Sequence, residues 1–208
     1  MSTTRKNRNT HNKTKKKYTF SKKDYSSGDG MMTSVWGAPA WHFLHTISFN
    51  YPVNPTTEDK KHYRDFIYNL RYVLPCKYCR INLTNNLKSK PLLISHMKSR
   101  ETFSRYIYEL HELINKMLGK QSNLSYYDVR ERYEHFRSRC TEDKSKVKID
   151  KSHVKIFTFK KELTRKKKEK GCTEPLYGKK AKCVINIVPQ ENKIATFQID
   201  EKCVKTKG

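Results

Sequence analysis

A Cys-X-X-Cys motif, formed by Cys76 and Cys79, lies between two segments whose apolar residues repeat at helical spacing. Pro75 directly precedes the motif and favours the start of a helix there, and Lys77 and Arg80 add positive charge. A helix N-terminus and nearby cations both lower the pKa of a thiol. We therefore predict a reactive cysteine pair at the start of a helix, with Cys79 facing the core and Cys76 facing outward.

Apolar residues between positions 35 and 140 recur every three or four residues, which is the spacing of one helix face. The pattern predicts five helices, which begin near Pro39, near Tyr63, at the Cys-X-X-Cys motif, near Phe103 and near Val129. Three of them are expected to end at Pro52, Pro75 and Gly119. Leu83 and Leu87 continue the Cys79 face of the third helix and should reach the core. Five helices with short connections predict a mainly α fold, a four-helix bundle with a short fifth helix.

The chain is basic along its whole length: 45 lysines and arginines against 20 acidic residues give the 208 residues a formal net charge of +25. Residues 1–34 have few apolar side chains, which predicts a disordered basic arm ahead of a compact domain over 35–140. Residues 141–208 are expected to form a small basic β-containing extension or a tail that orders only on a partner. Its predicted strands lie at 154–159, 183–188 and 194–199.

No apolar run approaches the roughly 18 to 20 residues that span a membrane, and residues 1–23 lack the apolar stretch of a signal peptide. We therefore expect no membrane span and no signal-directed secretion. In such a chain, six cysteines favour catalysis or metal binding over a structural disulfide framework. The positive charge favours nucleic acid, anionic membrane surfaces or acidic proteins as partners.

Three kinds of site could use the Cys-X-X-Cys motif. A thioredoxin-like site needs a strand before the motif, and the flanking helical patterns argue against it. A zinc site would need His135 and Cys140 as further ligands, more than 50 residues away. The third is a flavin-linked dithiol on a helical bundle. Two pairs of residues four apart could hold a planar ring between them: Trp41 with His45, and His111 with Asn115.

These motifs together resemble the Erv/ALR family of FAD-linked sulfhydryl oxidases. The resemblance rests on four stretches at matching spacing: W-G-A-P-A-W-H-F-L-H-T over 36–46, Y-P over 51–52, P-C-K-Y-C-R over 75–80 and H-E-L-I-N-K-M-L-G-K over 111–120. It covers about residues 35–140. Within it, the stretch 132–140 is most similar to the versions carried by large DNA viruses.

The resemblance implies a bundle that binds FAD, usually as a homodimer, and the absence of a G-X-G-X-X-G motif agrees with a site outside a dinucleotide-binding fold. It implies that reduced protein dithiols pass electrons through Cys76 and then the Cys79 thiolate to FAD, and that O2 accepts them to give H2O2. No metal is implied. The implied flavin-binding residues are Gly37, Trp41, His45, Cys79, His111, Asn115, Lys120, Arg132 and Tyr133, of which Lys120 and Arg132 would meet the pyrophosphate.

Several alternatives stay open at this point. Four further cysteines could be a shuttle, a structural clip or inert thiols: Cys140, Cys172, Cys183 and Cys203. A viral origin would place the protein in the cytoplasm of the infected cell or in the virion. The competing function is a basic nucleic-acid-binding structural protein with a zinc-supported fold. It predicts a colourless protein whose fold fails on chelation and whose binding weakens with salt.

Overall fold

The computed structural model describes residues 20–28, 30–139, 172, 174–195 and 197–205. The chain divides into two units, Met1–Gly30 and Met31–Gly208. In the first unit the described residues form one short helix, α1 (Lys22–Tyr25). Ser21 and Asp24 close a capping box at its start, which satisfies the first amides of a single turn in a segment where we expected no secondary structure. The domain boundaries themselves stay predictions.

The described part of the second unit is mainly helical, as predicted. Its α-helices are α2 (Thr33–Asn50), α3 (Thr57–Val73), α4 (Lys77–Ser89), α5 (Arg100–Met117) and α6 (Tyr126–Glu134). A short 3-10 turn, Ile94–Met97, lies between α4 and α5. In that part of the chain, no helix is both long and apolar enough to cross a membrane.

Polar residues begin three of these helices, and a glycine follows the end of one. Thr56, Ser99 and Ser125 each accept a hydrogen bond from an amide of the first turn of α3, α5 and α6 respectively. Gly119 has a φ of +66° just after α5, a conformation that residues with a Cβ rarely adopt. The predicted end of this helix at Gly119 is therefore confirmed to within two residues.

The start of α2 differs from the prediction, because Pro39 lies inside the helix rather than at its first turn. Proline removes one backbone donor from a helix interior, so the residues ahead of it need support from elsewhere. The N–H of Met31 donates to the carbonyl of Pro75 at 2.8 Å, and the indole N–H of Trp36 donates to the carbonyl of Met31 at 3.1 Å. These tertiary contacts hold the first turn of α2 in place.

Helices α2 to α5 share one hydrophobic core. Leu83 and Leu87 of α4 are 6% and 3% exposed and belong to this core, which confirms their predicted direction. A smaller cluster joins α2 to α6 through Phe49, Tyr126 and Val129. The larger core contains Tyr51, Ile67, Leu83, Leu87, Leu92, Met97, Phe103, Tyr106, Ile107 and Leu110.

The described part of the C-terminal extension contains little strand. Two-residue strands β1 (Ser138–Arg139) and β2 (Glu174–Pro175) pair antiparallel. The predicted strands at 183–188 and 194–199 are wrong as far as the described residues show, and the one at 154–159 lies outside them. Ile187 is 71% exposed, and in the described residues no strand lies beside this apolar run to pair with its backbone.

The end of the extension folds back on itself. The N–H of Lys179 donates to the carbonyl of Lys202 at 2.8 Å, next to a 3-10 turn over Glu201–Cys203. Gly178 has a φ of +65°, and a Cβ built on it would lie 2.8 Å from the carbonyl carbon of Cys203. A side chain at this position would therefore open the turn.

Candidate active site

The two cysteines of the motif lie at the start of α4, as predicted. Cys76 is the N-cap residue, with extended backbone angles, and its sulfur accepts a hydrogen bond from the N–H of Cys79 at 3.3 Å. The carbonyl of Pro75 accepts from the N–H of Met31, which ties the segment before α4 to the start of α2. Both thiols are half-buried, so reagents and substrates can reach them.

The pKa values of the two thiols shift in opposite directions. Hydrogen bonds from the side chain and the backbone of Cys79 hold the pKa of Cys76 below its usual value. Burial raises the pKa of Cys79, and its hydrogen bond to Cys76 raises this pKa further. In the reduced pair the negative charge therefore resides on Cys76 first, and the Cys79 thiolate that the resemblance implies for the step toward FAD stays a prediction.

The prediction named two causes of a lowered pKa, a helix N-terminus and nearby cations. The first agrees with the structure, because the N–H of Cys79 in the first turn of α4 donates to the sulfur of Cys76. The charges of Lys77 and Arg80 are not among the causes that lower the pKa of Cys76. Lys77 is exposed, and the guanidinium of Arg80 donates to the carbonyl of Leu74. The guanidinium of Arg80 thus binds the segment before α4.

A second cluster of predicted site residues lies between α2 and α5. The rings of Trp41 and His111 stack with centroids 3.9 Å apart and planes 8° apart. Nε2 of His45 lies 3.0 Å from Nδ1 of His111, and His45 is 4% exposed. The two pairs thus lie together, with the rings of Trp41 and His111 in van der Waals contact, and their arrangement around a planar ring stays a prediction. The amide of Asn115 donates to the carboxylate of Glu112 at 3.0 Å.

Both histidines of this cluster are neutral at pH 7. Burial lowers the pKa of His45 to about 3, and the charges of His111 and His42 add to this effect. Burial also lowers the pKa of His111 to about 4. One imidazole must therefore donate and the other accept in the hydrogen bond that joins them. Nδ1 of His45 is buried and has no hydrogen-bond partner among the described residues.

The aromatic side of this cluster extends to α6 and to the C-terminal extension. The hydroxyl of Tyr133 lies 3.2 Å from Nδ1 of His42, and its ring stacks on Phe49 with centroids 5.3 Å apart. Burial raises the pKa of Tyr133. Phe197 packs against both His42 and Tyr133, and the guanidinium of Arg132 lies 5.8 Å from its ring centroid.

For Lys120 and Gly37, the contacts in the structure do not indicate a role in binding a flavin. Lys120 is exposed beyond the end of α5, where its charge helps to lower the pKa of His111. Gly37 lies in α2, and a Cβ built on it would meet only Cγ2 of Thr33, at an ordinary 3.6 Å. The structure thus places Trp41, His45 and His111 together and leaves the roles of Gly37 and Lys120 as predictions.

Three residues at these sites were missed from the sequence. The hydroxyl of Thr33 lies 3.6 Å from the sulfur of Cys79, 46 positions away. His42 and Phe197 contact Tyr133. His42 had one available signal, its position directly after Trp41, whereas Thr33 and Phe197 have no local pattern that links them to their partners. Among the described residues, no group of three or more His, Cys, Asp or Glu side chains is arranged to hold a metal ion.

The fold and the site define a class of protein, a helical bundle with an accessible dithiol at the start of one helix and a partly buried tryptophan–histidine cluster on two others. The chain belongs to the Erv1/Alr family, whose model matches residues 38–134. It is 38% identical over 104 residues to the "Probable FAD-linked sulfhydryl oxidase" of Acanthamoeba polyphaga mimivirus. That match covers 50% of this chain and 72% of the viral protein.

Relatives outside viruses and one solved structure are also similar. The chain is 33% identical over 98 residues to the FAD-linked sulfhydryl oxidase ERV1 of Arabidopsis thaliana, a match that covers 47% of this chain and 49% of the plant protein. The crystal structure of the yeast Erv1 core has 22% identity and a TM-score of 0.46, and covers 59% of this chain and 95% of that one.

Proposed function

We propose that this protein is an FAD-dependent sulfhydryl oxidase that forms disulfides in reduced protein substrates and uses O2 as the acceptor, giving H2O2. The observation that carries the proposal is the Cys76–Cys79 pair, an accessible dithiol whose first cysteine has a lowered pKa at the start of α4. Membership of the Erv1/Alr family and relatives named as FAD-linked sulfhydryl oxidases support it.

The unequal pKa values of the two thiols suit thiol–disulfide exchange. A substrate thiolate attacks the sulfur of Cys76 in the oxidised pair, the bond between the two cysteines breaks, and its electron pair moves to Cys79. A second substrate thiolate then attacks the substrate sulfur of the mixed disulfide. Cys76 leaves as a thiolate, which the N–H of Cys79 stabilises, and the substrate departs with a new disulfide.

Cys79 is the more buried of the two cysteines, which fits the role of the sulfur that faces the cofactor. While Cys76 is held in the mixed disulfide, it carries no charge that opposes ionisation of Cys79. One of the causes that raise the pKa of Cys79 is therefore absent at the step where Cys79 receives the electron pair. The charge thus moves from Cys76 to Cys79 as the reaction proceeds.

The residues present fit a flavin nucleotide. Nδ1 of His45 is a buried polar atom without a partner among the described residues, and the stacked rings of Trp41 and His111 offer a flat outer face. When bound, FAD supplies a two-electron acceptor that O2 reoxidises. The residues proposed to hold it are Gly37, Trp41, His45, Cys79, His111, Asn115, Lys120, Arg132 and Tyr133.

The decisive experiment starts from the visible absorption spectrum of the purified chain. Dithiothreitol is then added in air, and peroxide is followed in wild type, Cys79→Ser and Cys183→Ser. Flavin absorption with peroxide formation that Cys79→Ser abolishes and Cys183→Ser retains supports the proposal. Cys183 is the matched control because it is an exposed cysteine in the extension.

A colourless protein that cannot be reconstituted with FAD would overturn the proposal and favour the zinc-supported nucleic-acid-binding alternative. That alternative predicts loss of the fold on chelation and salt-sensitive binding. The homodimer, contacts of the basic segments with nucleic acid or acidic proteins, and a location in an infected cell or a virion also stay predictions. Light scattering of the purified protein checks the dimer.

A further inference from the structure

The first turn of α2 lies against the cysteine pair. Thr33 is the first residue of α2, and its hydroxyl oxygen is 3.6 Å from the sulfur of Cys79, within hydrogen-bond distance for sulfur. Nothing in the local sequence brings these residues together, since 46 positions separate them. The tertiary structure must therefore hold the start of α2 against the start of α4.

One hydrogen bond joins the two helix starts, and a second bond fixes the segment that makes it. The N–H of Met31 donates to the carbonyl of Pro75 at 2.8 Å, directly before the motif. The indole of Trp36, one turn into α2, donates to the carbonyl of Met31 at 3.1 Å. Thr33 lies between these two anchors, so its side chain has a defined position against the cysteine pair.

The hydroxyl of Thr33 has a proton to donate, and the strength of that interaction depends on the redox state of Cys79. In a disulfide, the sulfur of Cys79 is neutral and a weak acceptor. When the disulfide opens, this sulfur gains an electron pair, and a hydrogen bond to a charged acceptor is roughly twice as strong as one to a neutral group. An interaction that strengthens on the way to the transition state accelerates the step.

The electrostatics of the pair agree with this role. Burial raises the pKa of Cys79 and so disfavours its thiolate, whereas the hydrogen bond from Thr33 lowers that pKa. Thr33 also contributes to the lowered pKa of Cys76. Its hydroxyl is therefore placed to stabilise negative charge on either sulfur.

We propose that Thr33 is a catalytic residue of the dithiol, whose hydroxyl donates a hydrogen bond to the sulfur of Cys79 as the Cys76–Cys79 disulfide opens. The inference rests on the proposed function, and its chemistry is confined to exchange at the cysteines. The incoming thiolate forms a bond to the sulfur of Cys76, the bond between Cys76 and Cys79 breaks, and the electron pair goes to Cys79. Thr33 keeps its proton throughout.

The test measures how fast dithiothreitol reduces the cysteine pair in the full-length protein without O2. Samples are quenched with acid, the thiols are alkylated, and the peptides that contain Cys76 and Cys79 are counted by mass spectrometry. Thr33→Val removes the hydroxyl and keeps the side-chain shape, and Thr33→Ser keeps the hydroxyl. Thr46→Val is the matched control, because its hydroxyl donates to the carbonyl of His42 further along the same helix.

Thr33→Val should lower the second-order rate constant of reduction about five- to tenfold, as expected for part of one charged hydrogen bond. Thr33→Ser should stay within about twofold of wild type, and Thr46→Val should not change the rate constant. Recovery of the rate by Ser separates loss of the hydroxyl from a general disturbance of α2.

Two results would overturn the proposal: an unchanged rate in a folded Thr33→Val protein, or an equal loss in Thr33→Val and Thr33→Ser. Circular dichroism establishes that each variant folds, and if Thr33→Val does not, the ratio of Thr33→Ser to Thr33→Ala decides. The readout uses the cysteines alone. If the protein is colourless and Thr33→Val slows the reduction, the FAD-dependent function is refuted and the catalytic role of Thr33 is retained. If the protein is an active flavoprotein and Thr33→Val leaves the rate unchanged, only the role of Thr33 is refuted.

Discussion

Two sites lie in one helical unit: the cysteine pair at the start of α4 and the tryptophan–histidine cluster between α2 and α5. Different physical effects set the ionisation of their side chains. Hydrogen bonds lower the pKa of Cys76 and favour its charged form. Burial lowers the pKa of His45 and His111 and favours their neutral forms. In the second site His45 is buried, whereas Trp41 and His111 are half-buried like the two cysteines.

This difference suits two separate tasks. A nucleophilic thiol must be charged and accessible, so the N-cap position with its free amides is a favourable place for Cys76. A flat surface for a planar group benefits from neutral rings, and the half-buried Trp41–His111 stack provides one. If the two tasks are separate, variants should damage one site and spare the other.

The largest effect is expected from Cys76→Ser, because a serine hydroxyl cannot form a disulfide. Peroxide formation with dithiothreitol should fall about a thousandfold or more. The melting temperature should stay close to that of wild type, since Cys76 is only half-buried. Retained turnover in Cys76→Ser would contradict its assignment as the cysteine that substrates attack.

Acid should destabilise the histidine cluster. The folded-state pKa values of about 3 and 4 lie below the ordinary histidine pKa of 6.5, so the unfolded chain binds more protons between these limits. The contribution to stability is complete above pH 6.5 and is lost as the pH falls toward 4 and then 3, by about 1.4 kcal/mol per pH unit for each histidine. Urea denaturation at pH 7, 5.5 and 4.5 measures this slope.

His111→Phe keeps a ring to stack on Trp41 and removes one of the two titrating groups. The difference in slope between wild type and His111→Phe isolates the histidine contribution from that of the carboxylates. We expect the slope of the variant to be shallower by about 1.4 kcal/mol per pH unit. Equal slopes would show that His111 is protonated without cost in the folded protein.

Trp41→Ala should damage the cluster and spare the cysteine pair. Trp41 packs on the main core and stacks on His111, so its loss should lower the free energy of unfolding by about 2 kcal/mol. Flavin retention should fall as well, while the anaerobic rate of reduction of Cys76–Cys79 by dithiothreitol should not change. Trp41→Phe, which keeps an aromatic ring, should lose less of both. A slowed reduction rate would mean that the two sites are coupled.

The smallest effect is expected from Phe197→Ala in the C-terminal extension. Phe197 packs on Tyr133 and His42 from a half-buried position, so the variant should lose about 1 kcal/mol of stability. Ile187→Ala is the control, because that side chain is 71% exposed and its removal should change nothing measurable. Equal melting temperatures of the two variants would show that the packing of Phe197 on α6 does not stabilise the fold.

The helices were predictable because a helix with one buried face has apolar residues every three or four positions in the sequence. The patterns around Tyr63, Phe103 and Val129 correspond to α3, α5 and α6, and Leu83 and Leu87 lie in the core as expected. The apolar pattern at 183–188 predicted a strand that the structure does not contain, and this run has no partner strand in the described residues. A strand needs hydrogen bonds from a second segment, so composition alone cannot establish one.

The candidate site divides in the same way. Motif spacing identified Cys76 and Cys79 as the dithiol and predicted Trp41, His45 and His111 as one group. It did not show that Trp41 and His111 close on each other, that hydrogen bonds rather than cations act on Cys76, or that the hydroxyl of Thr33 faces Cys79. The roles of Gly37, Asn115, Lys120 and Arg132 toward a flavin stay predictions.

The sequence alone determined the five helices of the second unit, the position of the dithiol at a helix start and the family to which the chain belongs. These features depend on residues close together in the chain, where spacing reports directly on a shared helix face. Tertiary structure decided which thiol is charged and which rings touch. His45 and His111 are 66 positions apart and Thr33 and Cys79 are 46 apart, so their hydrogen bonds exist only because α2 packs against α5 and the start of α2 lies beside the start of α4.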